Sequence, residues 1–466
     1  MATMHQKTNP ESLFPSAWAT HRKALLTGAT LSFVLLQLLF LTNMSLLYGS
    51  QFKDAYKTHN LEVLAIDYDG GVVGESMLEA YQQLRASTFV TLDFHRASEY
   101  PDYQTVEKAV CSGGAAAASY NSSNTIRYVY NEARYPTTME GYVNPDLEEL
   151  VAATRTVYTQ INGTRAFSSV NQSDSAAIDA FLNPFTATSI NLKPTEQGTR
   201  VLYNTASVAL SIVQQFFFVM AINGVSSSLN LFSRLTTLMN GLIRHVFATA
   251  YTFVGSLCWT GYIWAYKESW ALTGGQFMLI WMLGWLFMYI NFMLLDTASV
   301  LIPMQYMPFF VLTWIIMNIT SSLANFDLAP SFYKYGYALP AHNWYETFIQ
   351  ITSGGCYNRL YRTLPVLFAW FIVGHLLVIL ATNHRCRRAR AEGEKQEEER
   401  LRSPDEKGAS KDEGSSHGAD GSLSASASSP TADFLSLSRT RSSTSVYGPS
   451  MPPAFEALSR RLTEGR

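Results

Sequence analysis

The sequence predicts an α-helical polytopic membrane protein with six transmembrane helices and an α/β extracytoplasmic domain between helices 1 and 2. Three observations carry that prediction. Residues 206–324 hold four long apolar runs separated by very short polar breaks, and from Ser269 to Asn325 the one formal charge is Asp296. A helix needs roughly 20 apolar residues to cross a bilayer core, and a soluble core breaks such runs with charged faces at helical spacing. Two further apolar runs stand apart, at Leu25–Tyr48 and Leu364–Thr382. Between the first run and the block, residues 49–203 have globular composition and alternate strand-like with helix-like segments, as a small α/β domain does.

The elements follow in order. Residues 1–24 are a polar, cytoplasmic N-terminus that closes on His21, Arg22 and Lys23. Residues 25–48 exceed the roughly 7–15 apolar residues of a signal peptide, so they are a retained first crossing, and Arg22 and Lys23 place its start in the cytoplasm by the positive-inside rule. One crossing puts residues 49–203 outside. Within them, Leu61–Tyr68, Phe89–Phe94, Ala115–Tyr120 and Ile126–Tyr130 have strand patterns, while Val73–Ala86, Thr105–Cys111 and Asp146–Ile161 have helical ones. Asn144-Pro145 precedes the last of these, and proline suits a first helical turn. Three sequons, at Asn121, Asn162 and Asn171, agree with an extracytoplasmic position and are candidate glycosylation sites.

The membrane bundle covers residues 204–383, with crossings near 203–223, 246–266, 277–295, 300–319 and 364–382. After the first of these, Ser226–His245 groups Leu231, Leu235, Leu238 and Leu242 on one face and puts Arg234, Asn240 and Arg244 off it, the pattern of an interfacial helix. Asp296 falls at the expected turn between the fourth and fifth crossings, and Pro303 and Pro308 are expected to kink the fifth near its start. Residues 321–362 form an outer loop. The basic cluster His384, Arg385, Arg387, Arg388 and Arg390 fixes the C-terminus in the cytoplasm, so six crossings leave both termini inside. Residues 384–466 turn charged and Ser-rich and are expected to be disordered. There Ser442, Ser443 and Thr444 follow Arg439 and Arg441, a spacing that suits a basic-directed kinase.

A net charge of −2 averages a nearly charge-free middle with a charge-dense tail and says little about partners. No basic stretch interleaves with aromatics as nucleic-acid binding requires. The chain has no Walker A pattern, no HExxH and no GxSxG. Neither catalytic residues, nor a metal set, nor a cofactor site is expected, and the chain is not expected to be an enzyme. Asp67 and Asp69 flank a Gly-rich turn, but alternate strand residues point to opposite faces, so a turn and capping role fits them better than acid/base or calcium chemistry. Of the four cysteines, Cys111 and Cys356 share the oxidising side and are a candidate disulfide. Cys258 reads as a packed helix residue, and Cys386, inside the basic cluster, is a candidate palmitoylation site. Gln214, Gln215, Asn291 and Asp296 are the candidate intramembrane polar residues, which either line a path or bond across helices.

This order of parts resembles the fungal nitrosoguanidine-resistance proteins. A strand leads into Asp-Gly-Gly (AIDYDGGVVG), and the last outer loop carries YGYALPAHNWYETF, similar to that family's Gly-Tyr-x-x-Pro-x-x-Asn element. The matching motif positions are Asp69, Gly70, Gly71, Gly336, Tyr337, Pro340 and Asn343. That family is related to the YhgE/Pip proteins and ABC-2-type permeases, so the resemblance implies an ABC-2 permease-like bundle at the plasma membrane. It implies resistance to toxic compounds by export of drugs or amphiphiles, with Ser226–His245 as a coupling helix. The implied partners are the lipid bilayer, toxic amphiphiles or lipids, a second copy in a homodimer and a separate ATPase. A non-transporting regulator or scaffold affecting lipid distribution is the rival reading.

Overall fold

A computed structural model describes residues 19–408, apart from residues 69, 113–115, 122–124, 172, 196–197, 269 and 357. Its contacts divide the chain into two units. The first takes in the chain up to Gln215 together with Ala250–Asn291 and Val311–Val373. The second consists of Phe216–Thr249, Phe292–Phe310 and, among the described residues, 374–408.

The first unit contains the α/β domain. Helix α1 (Ala19–Ser50) leads into β1 (Glu62–Asp67), α2 (Val72–Leu84), β2 (Thr91–Arg96), α3 (Tyr103–Ser112), β3 (Ala116–Asn121) and β4 (Thr125–Tyr130). A single turn α4 (Pro136–Thr138) precedes α5 (Asn144–Ser169), then α6 (Ser175–Leu182) and β5 (Thr186–Asn191). The strands form one sheet in the order β2-β1-β3-β4-β5. β1 is parallel to both β2 and β3, β4 is antiparallel to β3, and β5 is parallel to β4.

Strand periodicity sorts the side chains onto two faces. Val63 and Ala65 of β1, Ala116 and Ala118 of β3 and Ile126 and Tyr128 of β4 share a core with Val73, Met77 and Ala80 of α2 and Leu147, Leu150 and Val151 of α5. The intervening Ile66, Ala117 and Val129 meet Val106 and Val110 of α3 on the other face. The expected strands and helices thus occur within a few residues of their predicted bounds, except that α5 runs on to Ser169, eight residues past its expected end at Ile161. Two elements carry no clear sequence signal. β5 reads TATSIN and lies mostly exposed at a sheet edge, and α6 is a short helix capped by Asp174, whose carboxylate accepts the Ala176 N–H at 2.9 Å.

The apolar block forms long helices: α7 (Ala206–Ser228), a single turn α8 (Leu231–Arg234), α9 (Thr237–Ala265), α10 (Gly274–Leu301) and α11 (Met307–Ser322). α12 (Pro340–Thr352) and α13 (Leu360–Gly408) follow. Among the described residues, four stretches, Phe33–Ser50, Ala206–Ser228, Gly274–Leu301 and Leu360–Glu398, are long and apolar enough to cross a membrane. The protein is therefore a helical membrane protein. α9 has the length, at 29 residues, but carries Asn240, Arg244, His245 and several hydroxyls. α11 has the apolarity but only 16 residues, about 24 Å at a helical rise of about 1.5 Å per residue.

Several local expectations change. Ser226–His245 is not one interfacial helix: α7 runs to Ser228, α8 supplies one turn, and residues from Thr237 onward belong to the same helix as the following crossing. The chain breaks at Asn230, which adopts a left-handed φ of 52°. The turn after α10 comes at Pro303 rather than at Asp296, which lies inside the helix. Pro303 caps a short 3-10 turn and Pro308 is the second residue of α11, so the prolines start that element, where a missing N–H costs nothing, instead of kinking it. The outer loop is folded, with a 3-10 helix Ser331–Ala338 and the mostly buried α12. α13 continues to Gly408, well past the expected end near residue 382. Its charged extension is held in part by an Arg388–Glu392 pair one helical turn apart, 2.9 Å. The candidate phosphorylation residues Ser442, Ser443 and Thr444, and the rest of the tail after Gly408, lie outside the described residues.

Candidate ionic site in the helices

Asp296 is the acid of an otherwise charge-free apolar run, and a buried carboxylate demands a counter-charge. Two arginines supply it, both from the second unit. Arg244 of α9 grips it as a fork: its Nε donates to Oδ2 at 3.3 Å and its Nη2 pairs with Oδ1. Arg385 of α13 donates to Oδ1 from Nη1 at 3.3 Å and from Nη2 at 3.2 Å. Asp296 is 1% exposed, the Arg244 side chain 3% and that of Arg385 13%. The order of burial follows the helices: Asp296 lies inside an apolar segment and Arg244 at the start of one, while Arg385 comes where α13 turns polar.

Neutral groups complete the cluster. Asn223 of α7 accepts from Arg244 Nη2 at 2.8 Å and from Arg385 Nη1 at 3.3 Å, while its own amide donates to Ser299 Oγ at 3.1 Å. Ser299 also accepts from Arg385 Nη2 at 2.8 Å. The ring of Phe232 lies 5.8 Å from the Arg244 guanidinium and 5.2 Å from that of Arg385, within cation–π range. Helices α7, α9, α10 and α13 thus each contribute to one polar knot. The sequence flagged Asp296 but not its partners. The signal was there: an acid inside an apolar run needs a cation, and Arg244 and Arg385 border the neighbouring runs.

The other intramembrane polar residues do not join this knot. Asn291 accepts from the Trp314 indole at 2.9 Å and donates to its own helix at Phe287. Gln214 accepts at its backbone from Tyr251 at 3.5 Å. Gln215 is fully buried, and neither atom of its amide has a partner among the described residues.

The described positions of the two motifs shape turns and helix starts. Gly70 has φ +62° and its N–H donates to Asp67 at 3.1 Å, and Gly71 caps α2. A Cβ on Gly74 would collide with the Asp67 carboxylate, so glycine lets the strand end pack on the helix start. Asp69 lies outside the described residues. In the second motif Gly336 is wedged against Phe326 and Ser321, and Pro340 opens α12. Asn343 donates to the Tyr337 and Leu339 carbonyls, both at 2.8 Å, closing the turn. The Arg362 guanidinium sits 4.6 Å from the Tyr337 ring. Arg362 also pairs with the buried Glu346 at 3.2 Å. His342 lies beside both, with Nδ1 donating to the Ser321 carbonyl at 2.9 Å. Burial, reinforced by the Arg362 charge, pushes this imidazole down to about 4.

The cysteines separate in the same way. Cys111 at the end of α3 and Cys356 after α12 are joined in a disulfide with Cα atoms 4.7 Å apart. Cys258 is exposed on α9 rather than packed, and Cys386 is fully buried. A thiol so enclosed is not presented for acylation, which changes the reading of Cys386 as a palmitoylation site. Among the sequons, Asn171 is exposed, Asn162 is half-buried on α5 with its amide donating to Tyr158 at 3.0 Å, and Asn121 ends β3, with Ser122 and Ser123 outside the described residues. No group of three or more metal-ligating side chains occurs among the described residues.

No solved structure matches the chain. Over 136 residues it is 29% identical to an uncharacterized endoplasmic reticulum membrane protein, YJR015W, of Saccharomyces cerevisiae, covering 28% of this chain and 27% of that one. The chain thus spans about a quarter of that relative's length. Residues 32–115 and 111–376, well over half of the 466, match a family described as protein of unknown function, and the chain belongs to that family, DUF3533.

Proposed function

We propose that the protein is a permease-like membrane protein that confers resistance to toxic amphiphiles by exporting them, without an ATPase of its own. The observation that carries this reading is the buried Asp296–Arg244–Arg385 cluster. Charged side chains within apolar spans are costly, and where they occur they commonly serve a pathway for solute, ion or proton. In this reading the bundle has six crossings, with α9 and α11 added to the four long apolar helices. Both termini are cytoplasmic, and the α/β domain is extracytoplasmic, where its disulfide is stable. The plasma membrane is the proposed location, with the endoplasmic reticulum of the yeast relative as the competing one. A homodimer and a separate ATPase remain proposed partners.

A second reading has its own support. Each member of the ionic cluster is held by other members, which also suits a scaffold or regulator that alters lipid distribution without transport. Purified protein in liposomes separates the two. Movement of toxic amphiphiles or labelled lipids, lost in Asp296→Asn, supports the permease, whereas no movement under any ion gradient or with ATP removes it. Glycosidase treatment of protein from a eukaryotic host tests the topology: Asn171 should carry the glycan, and an unmodified Asn171 argues against an extracytoplasmic domain.

A further inference from the structure

The ionic cluster does not balance. Among the described residues it holds one carboxylate, Asp296, and two guanidiniums, Arg244 and Arg385, each within hydrogen-bond reach of that carboxylate, leaving a surplus of one positive charge. The donors are also in excess. Arg244 is 3% exposed, and with Nε and Nη2 engaged, its Nη1 is buried without a partner among the described residues. An arginine fork with an unused donor in a low-dielectric setting is a strong oxyanion ligand.

We propose that Arg244 and Arg385 form a binding site for a phosphate oxyanion, carried on a lipid headgroup or free in solution. The site is preorganised. Asn223 accepts from both guanidiniums, and Phe232 lies within cation–π range of both, so their planes are set before an anion arrives. It is also reachable, because Arg385 keeps 13% of its side chain exposed. The neighbouring Arg387 and Arg390 on α13 are exposed and add positive potential at the approach. A phosphodiester carries about one negative charge, which cancels the surplus, and basic pockets at the ends of membrane helices are typical sites for anionic headgroups. A zwitterionic headgroup brings its own cation and restores the surplus, so anionic lipid is favoured over phosphatidylcholine.

This inference deepens the permease reading by naming the chemistry its ionic site recognises, but it is tested by binding alone, so a failed transport assay leaves it standing and a failed binding assay leaves transport open. The full chain in detergent is titrated with dioctanoyl phosphatidylglycerol, dioctanoyl phosphatidylcholine and inorganic phosphate, with binding read from melting temperature and from native mass spectrometry. Phosphatidylglycerol should bind saturably and phosphatidylcholine should not. Arg385→Gln should weaken phosphatidylglycerol by about tenfold or more, Arg385→Lys by less, and Arg388→Gln should change it little. Should Arg385→Gln fail to fold, the Arg385→Lys shift decides. Binding by inorganic phosphate alone overturns the lipid as source and keeps the oxyanion site. Equal binding of both lipids, or full affinity in both Arg385 variants, overturns the site.

Discussion

Asp296 and Glu346 are both buried carboxylates, 1% and 4% exposed, and each is met by arginine. Their surroundings differ in kind. Asp296 faces two guanidiniums, one of them 3% exposed. Glu346 faces Arg362, which is 31% exposed, and an imidazole held neutral by burial. The named charges around Glu346 sum to zero, while those around Asp296 leave one positive charge over. The Glu346 arrangement balances in charge and sits in a motif whose other residues close a turn. The Asp296 arrangement is electrostatically open, which is why it, and not the motif, carries the functional proposal.

The sharpest way to break this comparison is to neutralise each acid. Asp296→Asn strands two buried cations and should cost about 3–5 kcal/mol of stability. Glu346→Gln leaves a cation that water reaches, and should cost about 1–3 kcal/mol. Melting curves of the detergent-solubilised variants measure both, and equal losses would erase the distinction. Next in size is the disulfide. Cys111→Ser releases a cross-link across 245 residues and should cost about 2–5 kcal/mol, with a matching drop in melting temperature of the parent under reductant. If reductant leaves the parent unchanged, Cys356 does not anchor the segment after α12.

Acid sharpens the comparison through His342. Its folded pKa is about 4, below the ordinary value of 6.5, so between those limits the unfolded chain binds the extra proton. Stability is therefore full above pH 6.5 and is lost as the pH falls toward 4, by about 3 kcal/mol for a shift of this size. Asp146 acts in the opposite sense. Burial lifts its carboxyl to about 6, so its contribution is present in acid and is lost as the pH rises from 3.8 through 6. Being half-exposed, it should offset His342 only in part. Asp146→Asn should steepen the acid loss and His342→Asn should flatten it, and an unchanged acid limb in His342→Asn would remove His342 from the account. Last comes Gly336→Ala, expected on the same scale as Glu346→Gln. Its Cβ would press on Phe326, which stacks on His342 at 4.6 Å, and such overpacking costs about 1–3 kcal/mol. A gain in stability there would show that the motif glycine is not placed for packing.

Legibility in the sequence followed the strength of the local pattern. β1, α2 and α5 were readable because alternation and helical spacing of Val63, Ala65, Met77, Leu147 and Leu150 mirror their burial. β5 was not, because an edge strand reading TATSIN offers only Ala187 and Ile190, one to each face of the sheet, as apolar residues. The helix spanning Asp296 was cut short for a related reason. A lone acid in an apolar run resembles a turn until its partners are known. Arg244, 52 residues away, and Arg385, 89 residues away, sit beside runs of their own and read as ordinary interfacial charges.

By itself, the sequence determined that this is a membrane protein with an α/β domain, because apolar run length and periodicity are local properties. It also made Cys111 and Cys356 a candidate pair. Only the tertiary structure decided that α12 is buried, that α9 absorbs the presumed interfacial segment and that Asp296 meets two arginines. Charge pairing in a low-dielectric interior depends on which distant helices touch, and no local pattern encodes that.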